Sequence, residues 1–185
     1  MEVSPKLVVT RFAQLDAGDL FMYRLRGDAC VGMVVEDPTA NGERLQLPLG
    51  PTFPQGITGP TVLIAEAVTV VSFGKDFHLR LPVHPGGWVD AEPPSDRHCV
   101  VVGSTGIYLR ANRSPIQFGG DKFRPCYIDM ATGLINITGS GAFGEFAVPS
   151  GAKAYAIEWE LLTPGKDGKA ILTYPSSATP LDATA

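Results

Sequence analysis

Proline and glycine interrupt this chain so often that a long helix has no room to form. Sixteen prolines and twenty-one glycines fall within 185 residues. No segment carries a sustained 3.6-residue hydrophobic period bounded by helix caps, whereas period-two alternation recurs from end to end. The pattern predicts an all-β fold with little helix: two small β-barrel or sandwich modules, or one larger sandwich.

The first well-marked strand, residues 20–25 (LFMYRL), meets a Gly27-Asp28 turn and returns through residues 30–35, which predicts a hairpin over 20–35. Leu45, Leu47 and Leu49 then alternate with Arg44, Gln46 and Pro48. This strand belongs at a sheet edge, because Pro48 has no amide to give to a ladder. Residues 50–60 are Pro- and Gly-rich and read as a loop. The longest apolar stretch, residues 61–73, contains seven Val, Ile or Thr residues and is expected as one long buried strand. Phe77, Leu79 and Leu81 mark a further strand, at which a small barrel could close.

Residues 82–97 hold four prolines and two glycines and break every periodicity. They are expected to link an N-terminal β module (1–81) to a C-terminal one (98–174), with Trp88 anchoring the linker. One continuous sandwich with a long crossover reads the same way. Beyond 98, hairpins are expected around residues 103–105 and 131–133. Tyr155, Ile157, Trp159 and Leu161 are expected on one strand face, with Glu158 and Glu160 opposite. The tail, 175–185, is small and polar and is expected to be flexible.

Hydrophobic residues make up 44% of the chain and charged residues 18%, fewer than the usual quarter, so a partner or second subunit is expected to cover some surface. The net charge of −4 offers no global attraction to nucleic acid, and that partner class is disfavoured. No apolar run reaches the roughly 18 residues of a membrane helix. The start lacks a basic segment followed by an apolar one, and Cys30, Cys99 and Cys126 form no CxxC pair. A cytoplasmic protein without a cofactor is therefore the expectation.

Several short motifs tempt a functional reading. Residues 139–144 (GSGAFG) spell a dinucleotide-binding fingerprint, but Pro149 and Gly151 interrupt the helix that must receive the pyrophosphate. The tripeptide at 26–28 (RGD) is explained by the hairpin turn. Glu158 and Glu160, two apart on a strand, would place their carboxylates about 7 Å apart on one side of a substrate, whereas inverting glycoside hydrolysis needs them on opposite sides. Ser104 and Ser140 lie on glycine loops without the nucleophile-elbow pattern.

Two constellations carry more weight. Between 108 and 124, Arg110, Arg113, Lys122 and Arg124 gather positive charge beside Tyr108, Phe118 and Phe123. Basic groups interleaved with aromatic faces can hold a small anion, a nucleotide or an oligonucleotide, and Arg110, Arg113, Lys122, Arg124 and Phe118 are the candidate ligand-binding residues. His84, Asp90 and His98 cluster near the linker and are the candidate metal ligands, although their spacing matches no template.

Three functions follow. The first is a non-enzymatic binding or assembly module, expected as a homo-oligomer through exposed strand edges or an apolar patch. The second is anion binding through the 108–124 segment. The third is a metal-dependent or hydrolytic enzyme built near His84 and His98.

Overall fold

A computed structural model describes residues 7–25, 27–38, 43–50, 59–61, 66–90, 98–113, 124–138, 145–146, 149–164 and 168–174. Within them the chain is all-β, with two short 3-10 turns at Phe12–Gln14 and Pro85–Gly87.

The first sheet holds β1 (Val8–Arg11), β2 (Leu20–Leu25), β3 (Asp28–Asp37), β4 (Glu43–Gly50) and β5 (Thr69–Gly74), in the antiparallel order β1-β5-β2-β3-β4. The hairpin expected over 20–35 is present, and Gly27 takes a φ of 99° at its turn. β3 is buried on both faces. Val31, Met33 and Val35 enter the main core, while Cys30 and Val34 enter a satellite core with Phe12, Phe21 and Tyr23. Gly32 makes room for that second core, since a Cβ there would lie 2.9 Å from the Phe21 ring.

Two further sheets face it. The central one holds β7 (Trp88–Val89), β8 (Cys99–Val102), β9 (Ile107–Arg113), β10 (Arg124–Asp129) and β13 (Tyr155–Ala156), in the order β10-β9-β8-β13-β7. The other holds β6 (His78–Arg80), β14 (Trp159–Leu162) and β15 (Ala170–Tyr174), in the order β15-β14-β6. β11 (Ile137–Thr138) and β12 (Glu145–Phe146) form a small separate pair.

The main core is common to the three larger sheets. Leu20, Met33, Leu45, Leu47 and Leu49 meet Val100, Leu109, Ile128, Trp159 and Leu161 in one cluster. Strands from both sides of 82–97 thus share one interior, and β6 crosses to pair with β14. Residues 85–89 are ordered as a 3-10 turn and β7, and the Trp88 indole donates to the Pro82 carbonyl at 3.0 Å.

Four expectations are corrected. The sheets remain open, so no barrel closes: β1 and β4 bound the first sheet. The stretch 61–73 is not one strand. Thr61 makes an isolated bridge to Gln46, Glu66 and Ala67 turn in solvent, and β5 begins only at Thr69. The strand expected through 155–161 changes sheets, because the chain bends at residues 157–158, where the Ile157 amide bonds the Gly87 carbonyl at 2.9 Å. The turn at 131–133 forms, but its returning limb leaves β10 after Asn136, whose amide bonds the Tyr127 carbonyl at 2.7 Å. Residues 133–135 lie beside Glu36 at the end of β3, and Ile137–Thr138 pairs with Glu145–Phe146.

Candidate functional site

Three of the four basic residues, Arg110, Arg113 and Arg124, lie on strands of the central sheet. Alternation along β9 sends Leu109 and Ala111 into the main core and leaves Tyr108 with Cys99, Val101 and Tyr127 on the other face. Arg110 stands opposite Cys99 and Tyr127 and is only 3% exposed, so it presents no cation to solvent. Register places Arg113 opposite Arg124 at the end of the β9–β10 ladder. Lys122 and Phe118 lie outside the described residues, as do the glycines of 139–144.

The candidate metal ligands are dispersed, and no group of three or more His, Cys, Asp or Glu side chains converges among the described residues. His98 is buried between sheets. Its backbone amide donates to the Tyr174 hydroxyl at 3.0 Å, and the two rings meet edge to face at 6.0 Å. Burial pushes its imidazole pKa down to about 4, and the Arg110 charge adds to this. The carbonyls of Arg110 and Pro48 pull the other way. His98 is a neutral interior group that ties β4, β9 and β15 together. His84 lies at the surface, where Nε2 meets a Glu158 carboxylate oxygen at 3.1 Å, and Asp90 is exposed at the end of β7. Cys30, Cys99 and Cys126 are buried and form no disulfide.

His84 does, however, border an organised cleft of about 360 Å³ beside the sheet change at 157–158. Cross-strand register sets Arg80, Glu160 and Thr173 side by side on β6, β14 and β15. Arg80 donates to Glu160 Oε2 at 2.8 Å and Thr173 donates to Oε1 at 3.3 Å. Trp159 and Tyr174, also opposite in register, stack at 5.2 Å with an interplanar angle of 14°. The bend separates the two glutamates that the sequence placed on one strand face. Glu158 turns to His84, while Glu160 stays on β14. Two residues apart in sequence, they hold different partners.

One feature went unread in the sequence. β1 is an edge strand, and Leu7, Val8 and Val9 are 54%, 46% and 71% exposed. The run Val8-Val9-Thr10, three β-branched residues, was the available signal. Its free donors follow from the pairing. The Phe12 amide bonds the Val68 carbonyl at 2.9 Å, so in the antiparallel alternation Thr10 and Val8 also face β5. Val9 and Arg11 therefore turn their amides and carbonyls outward. The Arg11 amide is met by Gln14 Oε1 at 3.3 Å, an intramolecular guard on the edge. The same alternation on β4 turns Gln46 outward to Thr61, and Pro48 with it, so the proline sits where no donor is required.

Among the described residues no helix is long and apolar enough to cross a membrane. Comparison of the chain with protein-family models, with curated proteins and with solved structures found no match.

Proposed function

We propose that this chain is a non-enzymatic assembly module that forms a homodimer by pairing β1 of one copy with β1 of another. The outward backbone of Val9, set in an exposed apolar strand, is the observation that carries this reading. Antiparallel pairing about a two-fold at Val9 sets Val9 against Val9 and Leu7 against Arg11 of the second copy. Val8 then lies beside Thr10. No like charges stand directly opposite, so the edge is self-complementary, as an isologous contact requires. Burial of Leu7, Val8 and Val9 would add the apolar term that an isolated backbone ladder lacks.

Native mass spectrometry and sedimentation of the wild type and of Val9→Pro test this. Proline at residue 9 removes only an outward amide and suits an edge strand, so the variant should stay folded and become monomeric. Val9→Lys, which places a charge on the same edge, should do likewise. A wild type that is monomeric at high concentration, or an oligomer indifferent to both variants, would refute the reading.

A second reading keeps the anion site of the 108–124 segment, without the buried Arg110. Register sets Arg113 opposite Arg124 at one end of a ladder, and two arginines paired in register suit a phosphate or carboxylate. Arg113→Ala with Arg124→Ala should abolish any salt-sensitive binding of inorganic phosphate. A parent protein that binds no phosphate removes this reading.

A further inference from the structure

The cleft between β6, β14 and β15 has a polar lining that its own contacts leave incompletely used. Glu160 receives Arg80 and Thr173, and Glu158 receives His84 on one oxygen. A carboxylate offers about four lone-pair sites, so both keep acceptor capacity toward the cleft. Arg80 and His84 remain more than half exposed, and the Arg80 guanidinium carries further N–H groups beyond the one that meets Glu160. Trp159 also lines the space. Its Nε1–H is buried and has no acceptor among the described residues, although the interior rarely leaves such a donor unmet. Leu81, Pro82 and the Tyr174 ring supply half-buried apolar surface around these groups.

The balance of charge selects the ligand class. The carboxylates of Glu158 and Glu160 outnumber the one permanent cation, Arg80, so a free anion is not favoured. A divalent cation needs converging ligands, and the described residues do not converge. A ligand that both donates and accepts while carrying no net charge suits the alternation of carboxylates with guanidinium and imidazole groups. Hydroxyls do this, and the C–H faces of a sugar ring pack on Leu81, Pro82 and Tyr174. The volume of about 360 Å³ is at the small end of ligand clefts, which run from about 300 to 1,000 Å³. We infer that this cleft binds a saccharide of one or two rings, held by Glu158, Glu160, Arg80 and His84.

A glycan microarray, followed by titration of the binding glycan with NMR detection, tests the inference. At least one neutral glycan should bind and shift the Trp159 indole N–H resonance. Glu160→Gln should weaken that binding about tenfold or more at an unchanged melting temperature, since a charge-assisted hydrogen bond is replaced by a neutral one. Glu158→Gln, at a more exposed position, should act in the same direction and guards against misfolding of the first variant. Absence of binding at roughly millimolar glycan, a level equivalent to only about 4 kcal/mol, would overturn it. So would binding unaffected by both variants, or a cleft that takes inorganic phosphate or free arginine in preference to any glycan. The Val9→Pro monomer should bind as the wild type does, which separates this site from edge-to-edge assembly.

Discussion

The backbone amide of His98 donates to the Tyr174 hydroxyl at 3.0 Å, and Tyr174 in turn stacks on Trp159. This contact joins the start of β8 to the end of β15, and thereby backs the cleft with a side chain fixed from behind. The His98 ring also faces the carbonyls of Pro48 and Arg110, so one imidazole touches all three large sheets.

That placement makes stability depend on pH. The folded imidazole is held near pKa 4, against 6.5 when free, chiefly by burial. Between these values the unfolded chain takes a proton that the folded chain refuses, so stability falls as pH falls from 6.5 to 4. The slope approaches 1.4 kcal/mol per pH unit from this group, or about 3 kcal/mol across the window. Above 6.5 both states are neutral and the contribution is complete. Urea denaturation at several pH values should show this slope, and His98→Gln should flatten it while lowering stability at pH 7. A wild-type curve that is level from pH 6.5 to 4 would contradict the burial of a neutral ring.

Tyr23 and Tyr174 should respond in opposite ways to loss of their hydroxyls. The Tyr23 oxygen is buried without a partner among the described residues, and burial, reinforced by Cys30, pushes its pKa up to about 12. Tyr23→Phe removes an unmet polar group, so thermal stability should hold or rise by up to about 1 kcal/mol. Tyr174→Phe strands the buried His98 amide and should cost about 1–3 kcal/mol. Melting curves of the two variants decide this, and a larger loss in Tyr23→Phe would mean that its hydroxyl is satisfied.

Gly133→Ala should be among the most damaging small substitutions. Gly133 has a φ of 74°, and a Cβ there would lie 2.0 Å from the Gly18 backbone nitrogen. Gly18, at φ 90°, is confined less severely, since its own Cβ would approach the Thr132 carbonyl carbon to 3.2 Å. Two glycine turns, from residues 18 and 133, are pressed together where β3 meets β10. The substitution should cost at least about 2 kcal/mol by urea denaturation, from left-handed strain and steric conflict together. Gly27→Ala provides the control. It shares the positive φ of 99° but meets nothing within 4 Å, so it should lose only the conformational part.

Such long-range contacts mark the limit of what the sequence could disclose. The 20–35 hairpin and the edge position of Pro48 were legible because turn glycine and absent amide are local properties. The 157–158 bend was not: Tyr155 to Leu161 alternates perfectly, and only a contact with Gly87 reveals that the strand passes from one sheet to another. Arg110 misled for the same reason, since the segment it opens is basic while its cross-strand neighbours are Cys99 and Tyr127. The cleft was half legible. Glu158, Glu160 and His84 stood out as chemistry-bearing residues, but Arg80 and Thr173 reach Glu160 only through strand register.

Gln14 supplies the last and most specific test of the β1 edge. Its Oε1 accepts from the Thr10 hydroxyl at 2.6 Å and from the outward Arg11 amide at 3.3 Å. In the proposed two-fold pairing, that amide is the donor required by the Leu7 carbonyl of a second copy, so Gln14 competes with the dimer. Gln14→Ala frees the amide in both copies and should tighten self-association roughly thirtyfold, the equivalent of two ordinary hydrogen bonds of about 1 kcal/mol each. Sedimentation equilibrium measures the constant, and hydrogen exchange at Arg11 should slow on dimerisation in the variant more than in the wild type. An unchanged constant, with Val9→Pro still abolishing association, would mean that pairing stops at residues 8–10. A weakened dimer would show that Gln14 itself lies in the contact, and the two-fold would then have to be moved away from Val9.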